Sequence, residues 1–298
     1  MPELIPSERV CVLCGNSAYR PIGSARLEHL WRCAYCDLVS VRDMPRLEDL
    51  HAVYGEAYFR NARSEETGYE DYEQDRYCIV KTARRRLDTI ERYRRPPGRL
   101  LDVGCALGFF ADTARKRGWD AEGIDISEHA VSYARTELGL PARQGVLRDA
   151  GYEPASFDVI TMWDVIEHVT DPVAELRLVH GILRDEGLLV ISTPDVGSPV
   201  ARLTGSRWMG YKLALEHLYY FDRKTIRLAL EKAGFEVLDI RPIGKDVSLE
   251  FFSKRLRLYA PPAASALGWT LDRAGLGRAS IYANPQDILQ VIARKPAP

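Results

Sequence analysis

Apolar and polar positions follow two different periods along residues 77–294. Short apolar runs, typical of buried strands, are separated by segments in which apolar residues recur every three or four positions, typical of helices. The predicted strands span residues 99–103, 121–126, 157–162, 187–193, 235–241 and 288–294, and the predicted helices span residues 77–93, 109–117, 128–138, 172–183 and 222–233. Strands that alternate with helices in this way predict a doubly wound α/β fold with a mainly parallel sheet.

The chain divides into three predicted regions. Residues 1–45 contain two pairs of cysteines and too few apolar residues for a core of their own, which predicts a small metal-binding module. Residues 46–97 form a charged, tyrosine-rich segment that serves as a lid or a linker, and residues 98–298 form the α/β domain. A partly apolar stretch at about 243–285 is longer than an ordinary connection and is interpreted as an insertion that covers one edge of that domain.

The charge balance argues against some functions. The 41 basic and 42 acidic residues give a net charge of −1, so no overall positive field attracts nucleic acid or an anionic membrane. The first residues lack the apolar run of a signal peptide, and no apolar stretch is long enough to span a membrane. We therefore expect a cytoplasmic protein with no membrane span, for which nucleic acid is not the expected partner.

The turn after the first predicted strand of the α/β domain is the expected ligand site of such a fold. Gly104 and Gly108 allow the backbone to turn tightly there and to approach a ligand. Asp102 precedes this turn and Asp125 ends the next strand, and carboxylates so placed would repel a pyrophosphate. They would attract a ligand that carries an ammonium and a sulfonium, and Asp125 is placed to accept hydrogen bonds from a ribose diol. This pattern favours S-adenosylmethionine over NAD.

The chain resembles class I S-adenosylmethionine-dependent methyltransferases of the bacterial small-molecule group. The matching motifs are LDVG at 101–104 with Gly108, GIDIS at 123–127, FDVI at 157–160 and WDVIEHV at 163–169. The resemblance implies a seven-stranded Rossmann-like sheet and a cofactor site formed by Asp102, Gly104, Ala106, Gly108, Asp125, Ile126, Val146, Leu147 and Trp163. Two positions depart from the family pattern: Ala106 replaces a glycine of the turn, and Val146 stands where many relatives have an aspartate for the adenine amino group.

The two cysteine pairs at the start of the chain have the spacing of a zinc ribbon. Cys11 and Cys14 form one Cys-x-x-Cys pair, and Cys33 and Cys36 form the other. Four thiolates leave no open position on the ion, so we expect a structural zinc, with free or redox-active thiols and another metal as alternatives. The pattern also resembles the zinc module of deoxysugar C-methyltransferases.

Two histidines are the candidates for chemistry on the methyl acceptor. His217 lies between the fifth strand and the next helix, where the chain passes over the predicted cofactor pocket. The resemblance makes His217 a general base, and the alternative is a histidine that holds a lid by a hydrogen bond. His168 follows the fourth strand and is expected to organise the floor of the pocket.

Four functions fit these features, and one of them, a non-catalytic protein that binds the cofactor or uses the fold as an interaction scaffold, involves no methyl transfer. The favoured one is methylation of a hydroxyl oxygen on a small molecule, such as a sugar, a lipid or a natural-product intermediate. Sugar C-methylation and RNA methylation are alternatives; RNA methylation would use the zinc ribbon for recognition, but residues 1–45 carry about as many acidic as basic residues. The tyrosines Tyr54, Tyr58 and Tyr72 form an aromatic lid or pack the module on the domain, and Arg84, Arg85 and Arg86 form a solvated face or receive a phosphate-bearing acceptor.

Overall fold

The computed structural model describes residues 5–6, 9–45, 72–213, 217–257 and 259–298. Its strands are β1 (Ile5–Pro6), β2 (Ala18–Pro21), β3 (Leu30–Cys33), β4 (Val39–Val41), β5 (Arg99–Val103), β6 (Asp120–Asp125), β7 (Ala142–Gln144), β8 (Phe157–Trp163), β9 (Leu183–Pro194), β10 (Tyr219–Tyr220), β11 (Glu236–Ser248) and β12 (Ser280–Arg294). Its α-helices are α1 (Arg76–Ile90), α2 (Phe109–Lys116), α3 (Glu128–Leu138), α4 (Pro172–Ile182), α5 (Pro199–Thr204), α6 (Arg223–Lys232), α7 (Leu249–Leu256) and α8 (Pro261–Ala274). Within the described ranges, no helix is long and apolar enough to cross a bilayer.

A seven-stranded sheet forms the centre of the α/β domain, in the order β11-β12-β9-β8-β5-β6-β7. The strands β7, β6, β5, β8 and β9 are parallel, whereas β12 is antiparallel to both β9 and β11. Apolar side chains on both faces of the sheet are buried under the helices. The predicted doubly wound methyltransferase sheet is therefore confirmed, and β7, which the apolar pattern missed, supplies its seventh strand.

Side chains that accept hydrogen bonds from free backbone N–H groups mark the starts of α4 and α6. The Asp171 carboxylate accepts hydrogen bonds from the backbone N–H groups of Val173 and Ala174 at the start of α4. Asp222 and Thr225 form a reciprocal capping box at the start of α6. Among the predicted helices, the largest difference between predicted and observed bounds is in α1, which ends at Ile90 rather than at residue 93.

The last two strands are longer than their apolar cores indicate. β11 continues to Ser248 and β12 begins at Ser280, so the two pair as a hairpin far beyond the edge of β9. The distal half of the hairpin is largely outside the core, which is why its apolar pattern fades. The predicted insertion at 243–285 therefore begins and ends inside strands, and the segment between them is a pair of helices, α7 and α8.

A second, five-stranded sheet carries the cysteines, in the order β1-β2-β3-β4-β10. Its last strand, β10, comes from the α/β domain and pairs with β4 through Tyr219 opposite Ser40. Leu13, Leu30 and Val39 are fully buried in a cluster that continues into the core of the large sheet. The module thus has more buried apolar surface than its composition predicts, because the neighbouring domain covers it.

Candidate active site

The turn between β5 and α2 has a backbone that only glycine suits at two positions. Gly104 has φ +69°, and a Cβ there would lie 2.4 Å from the Val165 side chain. Gly108 has φ +84°, and a Cβ there would lie 2.7 Å from Leu140. Ala106, between them, adopts φ +47°, a conformation that glycine would adopt at lower cost. The turn therefore needs glycine at both positions, for its left-handed backbone and for the close packing of Val165 and Leu140 against it.

The two predicted cofactor carboxylates lie under and beside this turn. Asp125 accepts hydrogen bonds from the backbone N–H groups of Ala106 (2.8 Å) and Ser127 (2.9 Å), so it fixes the turn as well as facing it. Asp102 is 2% exposed and accepts a hydrogen bond of 2.6 Å from the Thr161 hydroxyl. Burial raises the pKa of Asp102 to about 7. A buried carboxylate with so little compensation is a favourable place for a cationic ligand group.

The remaining predicted cofactor residues follow β6, β7 and β8. Ile126 is half-buried directly after Asp125. Val146 caps a short 3-10 turn that follows β7, and the buried Leu147 is the first residue of that turn. Trp163 ends β8 and packs edge-on against Phe110, with ring centroids 5.0 Å apart. These positions all lie at the carboxyl ends of parallel strands, where the fold places its ligands. Their individual contacts to a cofactor remain predictions.

Arg86 is a site residue that the sequence analysis did not single out from its neighbours. Its guanidinium lies 4.1 Å from the centre of the Trp163 ring. Its positive charge partly offsets the rise that burial causes in the pKa of Asp102, and it helps to lower the pKa of Asp164. Its Nε and one terminal nitrogen are buried and have no hydrogen-bond partner among the residues described. Two unused donors in a buried cation indicate a site for an anionic ligand group.

The run of three arginines therefore does not form one uniform face. Arg84 is exposed, whereas Arg85 forms an ion pair of 2.7 Å with the buried carboxylate of Asp246. Arg86, as described, faces the sheet. The tyrosines are also separated: Tyr54 and Tyr58 lie outside the described residues, and Tyr72 packs near the start of α2.

The four cysteines of the module lie together. The Sγ atoms of Cys11 and Cys36 are 3.5 Å apart, and those of Cys14 and Cys33 are 3.4 Å apart. All four sulfurs lie within 4.8 Å of one another. A tetrahedral zinc ion with Zn–S bonds of about 2.3 Å needs sulfur atoms roughly 3.8 Å apart, so this arrangement fits the ion.

His217 is held against the loop that follows β8. The backbone carbonyl of Glu167 accepts hydrogen bonds from the N–H groups of Leu218 (2.8 Å) and Tyr219 (3.1 Å). The His217 ring lies 4.8 Å from the His168 ring and 5.8 Å from the Tyr220 ring, measured between centroids. His217 also forms a hydrogen bond to the backbone of Gly210. Both predicted histidines are therefore part of one cluster.

Burial gives this cluster unusual protonation properties. Glu167 is completely buried, and burial followed by the charge of Asp164 raises its pKa to about 8. Burial and then the neighbouring His168 lower the pKa of His217 well below its usual value. At neutral pH the cluster therefore contains a neutral imidazole beside a largely protonated carboxyl group.

Several polar atoms of the cluster point into the interior without a partner. They are both carboxyl oxygens of Glu167, Nδ1 of His217 and the hydroxyl oxygens of Tyr220 and Thr193, each without a hydrogen bond of normal geometry to any described residue. Buried polar groups are rarely left unpaired, so this concentration indicates a binding site for a polar ligand. A carboxyl oxygen of Glu167 and the imidazoles of His168 and His217 also lie within 4.8 Å of one another, a donor set that could hold a metal ion.

Asp164 and Lys245 close one side of this cluster. The Asp164 carboxylate accepts a hydrogen bond from Ser192 (2.8 Å) and pairs with the Lys245 ammonium (2.7 Å). Burial opposes ionisation of Asp164, but Lys245 and Arg86 together hold its pKa well below its usual range. Lys245 comes from the extended half of β11, which no local sequence signal connects to the loop after β8.

Comparison with protein families agrees with the fold and with the cofactor motifs. A family model described as a methyltransferase domain matches residues 72–240, more than half of the chain. The chain therefore belongs to this methyltransferase family. The prediction of a class I S-adenosylmethionine-dependent methyltransferase is thereby confirmed.

Curated relatives of known name match part of the chain. The chain is 34% identical over 117 residues to a ubiquinone biosynthesis O-methyltransferase of Neisseria meningitidis, covering 36% of this chain and 49% of the relative. It is 31% identical over 154 residues to the protein of the same name from Pseudomonas aeruginosa, covering 48% of this chain and 66% of the relative. The chain thus spans about half to nearly two thirds of the length of these relatives.

Solved structures show the same fold at low sequence identity. A SAM-dependent methyltransferase from Archaeoglobus fulgidus superposes with a TM-score of 0.52 at 15% identity, covering 75% of this chain and 99% of that one. A Haemonchus contortus phosphoethanolamine N-methyltransferase, solved with S-adenosylhomocysteine, gives a TM-score of 0.50 at 18% identity, covering 78% of this chain and 59% of that one. At these identities the likeness concerns the fold alone.

Proposed function

We propose that this protein transfers the methyl group of S-adenosylmethionine to a hydroxyl oxygen of a small molecule. The observation that carries this proposal is the unpartnered Nδ1 of the buried, neutral His217, beside Glu167 and close to the end of β8. A neutral imidazole with a free lone pair is able to accept the hydroxyl proton. The names of the curated relatives, which are O-methyltransferases, support oxygen as the methylated atom.

The cofactor would be held at the turn after β5 by groups of opposite charge. The buried Asp102 carboxylate suits the ammonium end, and the two unused donors of Arg86 suit the carboxylate of the methionine part. Asp125 would accept the ribose hydroxyls, with Ile126, Val146 and Leu147 against the adenine and Trp163 lining the pocket. Bound in this way, the cofactor supplies an electrophilic methyl group on a sulfonium.

The residues of the cluster would prepare the acceptor for an in-line displacement. A hydroxyl placed between His217 and the cofactor would give its proton to Nδ1 of His217. The cofactor would supply the methyl group to the hydroxyl oxygen, with its sulfur as the leaving group, so the products would be a methyl ether and S-adenosylhomocysteine. The burial of Glu167 and Tyr220 excludes water from this site.

The module would contain a structural zinc ion bound by Cys11, Cys14, Cys33 and Cys36. Four sulfur ligands fill a tetrahedral site, so the ion would have no open position for substrate. The ion would hold β3 and the turn before β4 in place. Because β4 pairs with both β3 and β10, the ion would also help to position β10. We expect a cytoplasmic enzyme whose acceptor is a small molecule rather than nucleic acid.

The role of His217 is tested by replacing it with glutamine, which removes the basic nitrogen and keeps a polar side chain. Methyl transfer from radiolabelled S-adenosylmethionine into the small-molecule fraction of a native-host lysate should fall by a factor of about 10² to 10⁴. Cofactor affinity, measured by calorimetry, should stay within about threefold, because His217 lies outside the predicted cofactor contacts.

His180→Gln is the matched control, since His180 is a partly buried histidine on α4 that packs against Phe235. Unchanged transfer in His217→Gln would contradict the base assignment. Label that appeared in RNA instead of small molecules would contradict the acceptor class.

A further inference from the structure

The pair of helices between β11 and β12 has an unpartnered, partly apolar surface. Trp269 on α8 is 64% exposed, and Leu276, just after this helix, is 50% exposed. Trp269 and Arg273 are four residues apart and lie on one side of the helix, with the Arg273 guanidinium 5.1 Å from the centre of the Trp269 ring, and Leu276 follows the glycine that ends the helix. The opposite side is used for packing, because Ala264 and Leu271 are buried and the Ser253 hydroxyl of α7 donates to the Ala264 carbonyl. We call residues 249–282, with this exposed side, the helical pair surface.

The helical pair surface is basic, unlike the chain as a whole. Residues 249–282 contain five basic residues, Lys254, Arg255, Arg257, Arg273 and Arg278, and two acidic residues, Glu250 and Asp272, a net charge of +3. The whole chain has a net charge of −1, so the other 264 residues have a net charge of −4. An exposed tryptophan and aliphatic residues among arginines are the composition of helices that lie in the interface of an anionic membrane.

We propose that the helical pair surface binds peripherally to a membrane that contains anionic lipids. The exposed Trp269 and Leu276 would enter the headgroup region, and the surrounding basic side chains would contact the lipid phosphates. Charge complementarity favours a lipid surface over a second copy of this chain. A symmetric dimer through this surface would bring two patches of the same positive sign together.

A chain of contacts connects the helical pair to the candidate active site. The Tyr259 hydroxyl, next to α7, accepts a hydrogen bond of 3.2 Å from the Met209 backbone N–H. Two residues further on, Tyr211 packs against Tyr220, with ring centroids 5.3 Å apart, and Tyr220 belongs to the cluster that contains His217. The surface itself lies outside the matched family region, residues 72–240.

Vesicle co-sedimentation with the full-length chain tests the proposal. The protein should sediment with vesicles of phosphatidylcholine and phosphatidylglycerol and remain in the supernatant with phosphatidylcholine alone. Trp269→Ser combined with Leu276→Ser should weaken binding to the anionic vesicles by about tenfold or more. Arg257→Glu combined with Arg278→Glu should weaken it by a similar factor, because each basic residue at a lipid surface contributes roughly fivefold.

Two control variants test whether any exposed apolar residue, or any pair of exposed arginines, would affect vesicle binding in the same way. Leu203→Ser removes an aliphatic residue that is 88% exposed on α5, and Arg84→Glu with Arg92→Glu reverses two exposed arginines near α1. Neither control should change vesicle binding by more than about twofold. The assay does not depend on methyl transfer, so its outcome is independent of the proposed reaction.

Three outcomes would overturn the proposal. They are absence of sedimentation with the anionic vesicles, an equal loss of binding in the controls, and a dimer in sedimentation velocity that Trp269→Ser dissociates. Thermal unfolding of each variant should match the unmodified chain, since the substituted side chains are exposed.

Discussion

The two sheets of this protein are stabilised in different ways. The seven-stranded sheet is covered by helices on both faces and has long strands with continuous apolar runs. The five-stranded sheet has strands of two to four residues, and its four clustered cysteines lie at the end of β3 and in the segments before β2 and after β3. Its buried leucines belong to a core that the large domain completes. The comparison indicates that the large sheet is formed by burial, whereas the small sheet shares the core of its neighbour and would gain further stability from the proposed zinc ion.

The strand β10 connects the two regions at the candidate active site. It pairs with β4 of the small sheet and directly follows His217. The Val41 N–H also donates to the Leu218 carbonyl, at 2.9 Å. A change in the small sheet should therefore reach the acceptor side of the site and leave the cofactor side largely unaffected.

Cys33→Ser should have the largest effect. It should remove zinc and lower methyl transfer while leaving cofactor affinity nearly unchanged. We expect the zinc content to fall to near zero and methyl transfer to fall by about 100-fold or more, because binding of a structural zinc supplies folding free energy that the module lacks. Cofactor affinity should remain within about threefold, since its predicted contacts lie on the large sheet. Elemental analysis, the transfer assay and calorimetry measure the three quantities.

Cys78→Ser is the control for that experiment, because Cys78 is buried on α1, outside the tetrad. Full retention of zinc by Cys33→Ser would contradict the four-thiolate site. A parallel loss of cofactor affinity would contradict the separation of the two regions.

Gly104→Ala should weaken cofactor binding at the large sheet and leave the cysteine site of the small sheet unaffected. The added Cβ would lie 2.4 Å from Val165 at a φ of +69°, so we expect a cost of about 1–3 kcal/mol and a loss of cofactor affinity of roughly tenfold or more. Zinc content should not change. Val165→Ala added to Gly104→Ala removes the steric contact but keeps the backbone strain, so it should recover only part of the affinity measured by calorimetry; full recovery would show that the strain is unimportant.

The pH dependence of stability should report the buried Glu167. Its pKa rises from 4.5 to about 8 on folding, so its stabilising contribution is complete below pH 4.5 and is lost as pH rises through about 8. The glutamine of Glu167→Gln stays neutral at every pH. As pH rises from 4.5 to about 8, the free energy of unfolding of this variant should therefore increase by a few kcal/mol relative to that of the unmodified chain. Urea unfolding at several pH values measures the difference.

Glu231→Gln, at a carboxylate paired with Arg227 and half exposed, is the comparison for this pH series. Its stability curve should run parallel to that of the unmodified chain. If the Glu167→Gln curve also ran parallel, the carboxyl group would be ionised in the folded protein.

Lys224→Gln should have the smallest effect of the four. Lys224 on α6 pairs with Asp37 of the small sheet at 3.1 Å, but the two side chains are 63% and 36% exposed. Exposed ion pairs contribute about 0.2–1 kcal/mol, so the free energy of unfolding should fall by no more than that. A double-mutant cycle with Asp37→Asn isolates the pair; a coupling of several kcal/mol would mean that this contact, rather than the shared core, joins the two sheets.

The sequence by itself determined most of the large sheet and its cofactor turn. Apolar periods record which residues are buried within one strand or helix, and caps such as Asp171 act on backbone groups only a few residues away. The glycines of the turn are equally local, because φ at Gly104 is a property of one residue. Such features can be predicted because their causes lie within a short segment of chain.

Only the tertiary structure decided how the candidate active site is assembled. Glu167 and His217 are 50 residues apart and are brought together by the hydrogen bonds that Leu218 and Tyr219 donate to the Glu167 carbonyl. Lys245 reaches Asp164 from a strand that extends past its apolar run. Arg86 differs from Arg84 and Arg85 only by the helix face it occupies against Trp163. These contacts depend on the order and register of strands distant in sequence, and local periodicity carries no information about them.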